Sequence, residues 1–346
     1  MDAMGTRARS TIFAVMAAFL AASPVALAAP VVAPAPAAPG AAASNGSAGQ
    51  GLEISPPVIE LAADPGQTVT ANIRIRNVTK GELIAKGKAD DFGAGANEDG
   101  QPKLLLDETG STRYSLKFWV QGVPDLRLAP QELKTTTVKI VVPKDAEPGG
   151  HFGVVRFTAV PPNLDGTGVA LSASIGALIL LKVSGTITEK VSLAEFSTSQ
   201  SSQQKGKEPI VKKGSFFEHG PVDFLVRVRN EGSVHEKVKG SIEVKDWLGK
   251  KVATVGVNDK GGNVLPDSIR KFNQSLSNKQ LFGHYSAALT LNYSNGKTLS
   301  ASLGFWVIPW KLILLAVLGL IVLIFILKVA LRRYNNHIIA QARKQR

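Results

Sequence analysis

The 346-residue chain contains no cysteine and only five histidines, and aromatic residues make up 6% of it. Without cysteine there are no disulfide staples, no thiolate metal ligands and no thiol nucleophile. Neither His151 nor His284 has a second His, a Cys or paired carboxylates nearby at ligand spacing. No G-x-S-x-G, H-E-x-x-H or phosphate-cradling glycine loop occurs either. These absences leave little room for catalysis, and no cofactor is expected. Between residues 52 and 305 no stretch has a sustained helical period or enough apolar length to cross a membrane.

Long apolar runs are confined to the two ends. The N-terminus has basic Arg7 and Arg9, an apolar stretch from Ile12 to Ala22, and a small-residue site at Ala26-Leu27-Ala28. This is the pattern of a secretory signal peptide over residues 1–28, cut near Ala28; an uncleaved anchor is the alternative. At the other end, Leu312 to Leu327 is unbroken by any polar residue. A transmembrane helix is expected over 306–331, with Trp306 and Trp310 in the interfacial belt and Lys311 and Lys328 snorkelling from its edges. The tail 332–346 carries Arg332, Arg333, Arg343, Lys344 and Arg346 and no acidic residue, which places it in the cytoplasm. The expected location is a single-pass cell-membrane protein with its N-terminal ectodomain outside.

Net charge is +13, unevenly spread. Residues 52–189 hold 14 basic and 16 acidic side chains, whereas 190–305 hold 17 and 10. An exported chain of this kind has no call on nucleic acid despite its basic pI.

Residues 29–51 are Ala/Pro/Gly/Ser-rich and read as a disordered leader. From Leu52 onward the texture is short strands and turns. VTANIRIRN (69–77) alternates strictly, as does PVDFLVRVRN (221–230), and both end in Arg-Asn. TTTVKIVVP (135–143), HFGVVRFTAV (151–160) and LILLKVSG (178–185) read as further strands, the last a central one. GSIEVKDWLGKKVATVGV (240–257) reads as a hairpin turning at Asp246–Lys250. YSAALTLNYSNGKTLSASLGF (285–305) reads as a hairpin with a two-residue primed turn at Asn295-Gly296. The fold class is therefore all-β: two tandem immunoglobulin-like β-sandwiches, 52–185 and 186–305, plus one C-terminal transmembrane helix.

His151 and His284 stand in similar settings, GGHF and FGHY, each ahead of an alternating run. Both read as structural: a turn glycine, then a solvent-tolerant start to a late strand. In ADDFGAGANEDGQPK (89–103), Asp90, Asp91, Glu98 and Asp99 are weak calcium candidates, though the spacing fits a solvated turn better. Lys205, Lys207, Lys212 and Lys213 form a basic cluster that could contact anionic polymer or headgroups, or could simply solubilise the surface. Four N-x-S/T triplets, at Asn45, Asn77, Asn273 and Asn292, and the W-x-L at Trp310 are read as coincidental.

The segments ISPPVIELAADPGQTVTANIRIRN, DFGAGANEDGQPKL, PKDAEPGGHFGVVRF and FWVIPWK together resemble the WxL-interacting-protein group and its relatives over roughly residues 52–311. That resemblance implies membrane-anchored bacterial surface proteins with tandem immunoglobulin-like domains, a link to peptidoglycan binding, and a structural or adhesive role. The expected function is non-catalytic cell-surface binding or scaffolding of a cell-wall polymer or a surface protein. The alternative is an envelope assembly factor of chaperone type acting by strand addition; a membrane-bound hydrolase ranks well behind both.

Overall fold

The computed structural model describes residues 51–106, 108–160, 173–202, 210–278, 280–294 and 296–344. The signal peptide, the leader and the lysines Lys205 and Lys207 lie outside the described residues.

Ten strands build the first sandwich: β1 (Leu52–Ser55), β2 (Val58–Ala63), β3 (Thr68–Asn77), β4 (Leu83–Ala94) and β5 (Pro102–Leu105), then β6 (Val120–Gln121), β7 (Leu126–Leu128), β8 (Leu133–Val141), β9 (Gly149–Val160) and β10 (Ser174–Val183). One sheet has the order β1-β3-β8-β6. The other runs β2-β10-β9-β4-β5, with β7 also on β4. The period-2 pattern of β3 does what it promised: Ala71, Ile73 and Ile75 are buried while Thr70, Asn72, Arg74 and Arg76 face out. They meet Val155, Phe157, Ile179 and Leu181 of the facing sheet in one core. β10 is central over its second half, flanked by β9 and, in parallel, by β2.

The second sandwich holds β11 (Val191–Ser202), β12 (Ile210–Lys213), β13 (Phe216–Phe217), β14 (Val222–Asn230), β15 (Glu236–Lys237) and β16 (Lys239–Asp246). It continues with β17 (Lys251–Val257), β18 (Asn263–Val264), β19 (Ser268–Leu276), β20 (Gly283–Tyr293) and β21 (Lys297–Val307). The sheets β12-β11-β14-β19 and β13-β21-β20-β16-β17 enclose Phe224, Val226, Ile242, Leu289 and Phe305. The pair β15-β18 lies apart from them. The β16–β17 hairpin turns at Asp246–Lys250 as expected, its ends joined from Asp246 N to Lys250 O. The β20–β21 turn differs. Tyr293 pairs with Lys297, so three positions bridge the strands rather than two. Asn295 itself is outside the described residues.

The repeated Arg-Asn ending has a shared purpose. Asn77 is fully buried and donates to the carbonyls of Gly81, Leu128 and Ala129 while its Oδ1 accepts from Thr79 N. Asn230, equally buried, donates to Val234 O and Val264 O and accepts from Gly232 N. Each asparagine ties a strand end to the loops around it, satisfying backbone groups that would otherwise be orphaned.

The last element is α1 (Trp310–Lys344). Its segment Trp310–Asn336 is long and apolar enough to cross a membrane, its most apolar 18 residues having a mean hydropathy of 3.2 and none of them buried. The helix begins four residues later than the sequence suggested. Trp306 and Val307 still belong to β21, where they pair with His284 and Gly283, and Pro309 marks the entry to the helix.

Candidate binding cleft between the sandwiches

The two sandwiches are joined by residues 184–190 and by a set of specific contacts. The tip of the β4–β5 hairpin crosses to the second sandwich. There Lys271 N donates to Glu98 O at 2.7 Å, and Arg227 donates to the Glu98 carboxylate through Nε (2.7 Å) and Nη2 (2.6 Å). This two-pronged pairing holds the Glu98 pKa below the usual carboxylate range and raises that of Arg227. On the far side, Glu60 of β2 accepts from Lys237 Nζ (2.5 Å) and Asn263 Nδ2 (2.8 Å). Burial opposes its charge, but these two donors outweigh it and lower its pKa. Tyr114 donates to Asp267 at 2.6 Å; burial and that carboxylate push the phenol up to about 12.

The glycine pair before His151 belongs to the same contact. Gly150 N donates to Ser233 O at 2.8 Å, and Gly149 has φ +142°, with any Cβ there 2.9 Å from that oxygen. Glycine is needed at 149 for both its conformation and the close approach. Beside it, His235 of the second sandwich sets its ring 5.8 Å from Phe152. Burial drives its pKa down to about 4.

Between these latches lies a cleft of about 350 Å³. Its floor is the outer face of the β2-β10-β9-β4 sheet, where Val58 and Leu178 present apolar surface over the buried side chains of Phe92 and Leu180. One wall is the β4–β5 tip and the other the loop from Lys260 to Leu265. Arg270 closes one end. Its guanidinium lies against Gly100 of one sandwich and Gly262 of the other, so tightly that a Cβ at either would collide with it. Nη1 donates to Asn263 O at 2.7 Å, while Nε is buried and has no hydrogen-bond partner among the described residues. Burial lowers the Arg270 pKa. An apolar floor with one partly buried cation suits an extended apolar segment bearing a carboxylate or carbonyl oxygens. The floor leads towards an open edge: β2 pairs with β10 only from Leu178 on, leaving Ser174–Ala177 without a strand on that side among the described residues.

The acidic segment divides in two: Asp90 and Asp91 are buried on β4, whereas Glu98 and Asp99 stand in the exposed β4–β5 turn that the sequence suggested. Asp90 and Asp91 are consecutive on β4, so they point to opposite faces and are 3% and 2% exposed. Asp90 pairs with Arg156 at 2.9 Å. The Asp91 Oδ1 accepts Leu116 N and Lys117 N, both at 2.8 Å. Glu98 goes to Arg227, and Asp99 folds back to Gln101 N. The oxygens diverge, whereas Ca²⁺ needs six to eight that converge. No group of three or more potential metal ligands forms among the described residues.

The histidines differ from expectation. His151 is buried, 4% exposed, with ring nitrogens 3.0 Å from Glu147 O and 3.3 Å from Ser115 O and its ring 4.2 Å from Trp119. It is structural, but it is not a solvent-tolerant strand start. His284 sits on the outer face against Trp306, ring centroids 4.8 Å apart. The similar tripeptides are out of phase: His151 faces its sandwich core, while Tyr285, not His284, faces the other.

Of the lysine cluster, Lys212 and Lys213 lie exposed on edge strand β12, and Lys213 is paired with Glu195 at 2.6 Å. Trp306 and Trp310 are half-exposed near the helix entry. Lys311 does not hang free; it pairs with Glu218 at 2.7 Å and lies over the Trp310 ring. Lys328 is exposed on the helix. Sequence reasoning missed Arg270, Glu60 and Phe92. The one available signal was a pair of glycine-rich turns, AGANEDG and NDKGGN, whose meeting depends on the fold.

No family model matches the sequence, and no curated protein matches it significantly. Solved structures do resemble it. A class 5 fimbriae chaperone, CfaA, is 15% identical with a TM-score of 0.37, covering 72% of this chain and 98% of its own. The E. coli chaperone DraB is 11% identical with a TM-score of 0.32, covering 74% and 96%. The Pseudomonas aeruginosa CupB2 chaperone is 13% identical with a TM-score of 0.31, covering 71% and 97%. Likenesses this low carry no functional argument.

Proposed function

We propose that this chain is a non-catalytic, membrane-anchored binding protein whose two sandwiches hold an extended segment of a protein partner, in the manner of an envelope assembly factor. One observation carries the reading: the interdomain cleft has an apolar floor that leads towards Ser174–Ala177, a stretch of β10 with no strand on that side among the described residues. A partner strand laid there gains main-chain hydrogen bonds from the edge and side-chain burial from the floor. Arg270, whose Nε has no hydrogen-bond partner among the described residues, supplies an anchor for an oxygen at the closed end.

A wall polymer suits the cleft less well, because Phe92 lies too deep to stack on a sugar ring. The same proposal puts the sandwiches outside the membrane and the basic tail in the cytoplasm, with the signal-peptide pattern and the apolar length of α1 in its support. The peptidoglycan link and the WxL-interacting family rest on sequence motifs alone. A Leu178→Lys substitution puts a charge on the half-buried floor and should abolish co-purification of a protein partner with the full-length protein. If the folded variant retained its partner undiminished, the cleft would not be the binding site.

A further inference from the structure

The end of the second sandwich nearest α1 carries a group of exposed apolar side chains that the interdomain cleft does not use. At the β16–β17 turn, Trp247 and Leu248 are both 70% exposed, and Phe282, just ahead of β20, is 64% exposed. Phe216 and Trp306 are half-exposed nearby on the paired ends of β13 and β21. Register gathers them. Asp246 is opposite Tyr285, Tyr285 is opposite Phe305, and Gly283 is opposite Val307, so the turn lies two strands from the end of β21. At 4.7–4.9 Å per strand that is roughly 10 Å. Gly283 also brings Trp247 within van der Waals reach, since a Cβ there would lie 3.7 Å from the indole.

The turn is built to present these side chains. Asp246 Oδ1 accepts Leu248 N (3.0 Å) and Lys250 N (2.9 Å), and Gly249 takes φ +78°. A turn so held has little freedom to fold Trp247 and Leu248 back onto the protein. Exposed Lys250 and Lys251 follow directly.

The connection to α1 fixes where this end must be. Only Ile308 and Pro309 separate β21 from the helix, and two residues span at most about 7 Å. The connection is also tied down: Trp306 N bonds Ser215 O, Ile308 N bonds Phe217 O, and Lys311 pairs with Glu218. The polar zone on each side of the hydrocarbon core is itself about 5–8 Å thick.

We propose that Trp247, Leu248 and Phe282 seat the second sandwich in the interfacial layer of the membrane that α1 crosses, with Lys250 and Lys251 against anionic headgroups. This rests on the reading of α1 as a membrane span. The chemistry fits: an indole and two apolar side chains favour the headgroup–acyl boundary, and adjacent lysines add attraction to anionic lipid. A sandwich seated in this way is held at two places rather than swinging on one helix. Its cleft then stands at a set height and tilt above the bilayer.

Because the chain has no cysteine, unique labels can be placed in the full-length protein. An environment-sensitive fluorophore is attached at Leu248→Cys, at Leu320→Cys within α1, and at Thr137→Cys on the outer face of the first sandwich. Each protein is reconstituted in vesicles of phosphatidylcholine and phosphatidylglycerol. The label at 248 should emit to the blue of that at 137, be quenched by lipid spin-labelled near the headgroup, and resist aqueous iodide. Trp247→Ser in the same labelled protein should weaken the lipid quenching. If the label at 320 is quenched by lipid while that at 248 behaves like 137, the seat is overturned and the anchor stands. If 320 is not quenched by lipid, the anchor fails and the seat with it. Protection of 248 from iodide without lipid quenching means a protein covers the turn, which also overturns the proposal.

Discussion

Glu98 and Arg227, 129 residues apart, form a bidentate pair at 2.6 and 2.7 Å that joins the two sandwiches at the mouth of the cleft. Both side chains remain partly exposed, which keeps the energy modest, but the geometry sets the position of the β4–β5 tip. Because Arg227 also reaches Glu195 at 3.3 Å, its position is defined from both sides. A double-mutant cycle with Glu98→Ala and Arg227→Ala should give a coupling of about 1 kcal/mol, at the upper end for a surface pair. A coupling indistinguishable from zero in urea unfolding would mean the pair is incidental.

The sandwich contact should also be sensitive to acid. His235 titrates near 4 in the folded protein because burial disfavours its charge, against 6.5 in an unfolded chain. The unfolded state therefore binds the extra proton first as pH falls. The stabilisation is fully present above 6.5 and drains away between 6.5 and about 4. A shift of this size corresponds to about 3 kcal/mol as an upper bound. His235→Gln should flatten that part of the pH–stability curve relative to the parent. Parallel curves for the two proteins between pH 7 and 4 would refute the assignment.

Much of the strand pattern was legible in the sequence, and the reason is local. Ile73, Ile75, Val226 and Val228 alternate with charged neighbours, and period-2 burial needs no knowledge of the partner sheet. What was not legible depends on long-range register. GGHF and FGHY read alike, yet His151 faces a core and His284 does not, because the strands enter their sheets one residue out of phase. Glu98 could not be told from a solvated carboxylate, since its partner lies in the other sandwich. Nothing in the local sequence around Arg270 set it apart from other basic residues. Only the meeting of Gly100 and Gly262 around it makes it the end wall of a cleft.

Gly149 should be among the least replaceable positions in the contact. Gly149→Val places a β-branched side chain at φ +142° and drives it into Ser233 O. Backbone strain alone would cost about 1–3 kcal/mol, before the loss of fit between the sandwiches. His151→Gln, buried as that site is, should cost about 1–3 kcal/mol for the disturbed hydrogen bonds. Chemical denaturation of both variants checks this, and a His151→Gln midpoint equal to the parent would mean that the Glu147 and Ser115 carbonyls contribute nothing.

The proposed topology, with the sandwiches outside and the basic tail inside, is open to a protease test. Protease applied to intact cells should remove the sandwiches and leave a short, membrane-protected C-terminal fragment. Digestion of a tag placed after Arg346 under the same conditions would invert the orientation.

The central question is what occupies the cleft. A photo-crosslinking amino acid at Ile269, which lines the cleft, is compared in cells with the same group at Thr137 on the distal outer face. A protein partner in the cleft should give a discrete, protease-sensitive adduct from 269, none from 137, and loss of the 269 adduct when Leu178→Lys is added. Adducts of equal yield from both positions, or a protease-resistant polymer adduct at 269, would contradict it.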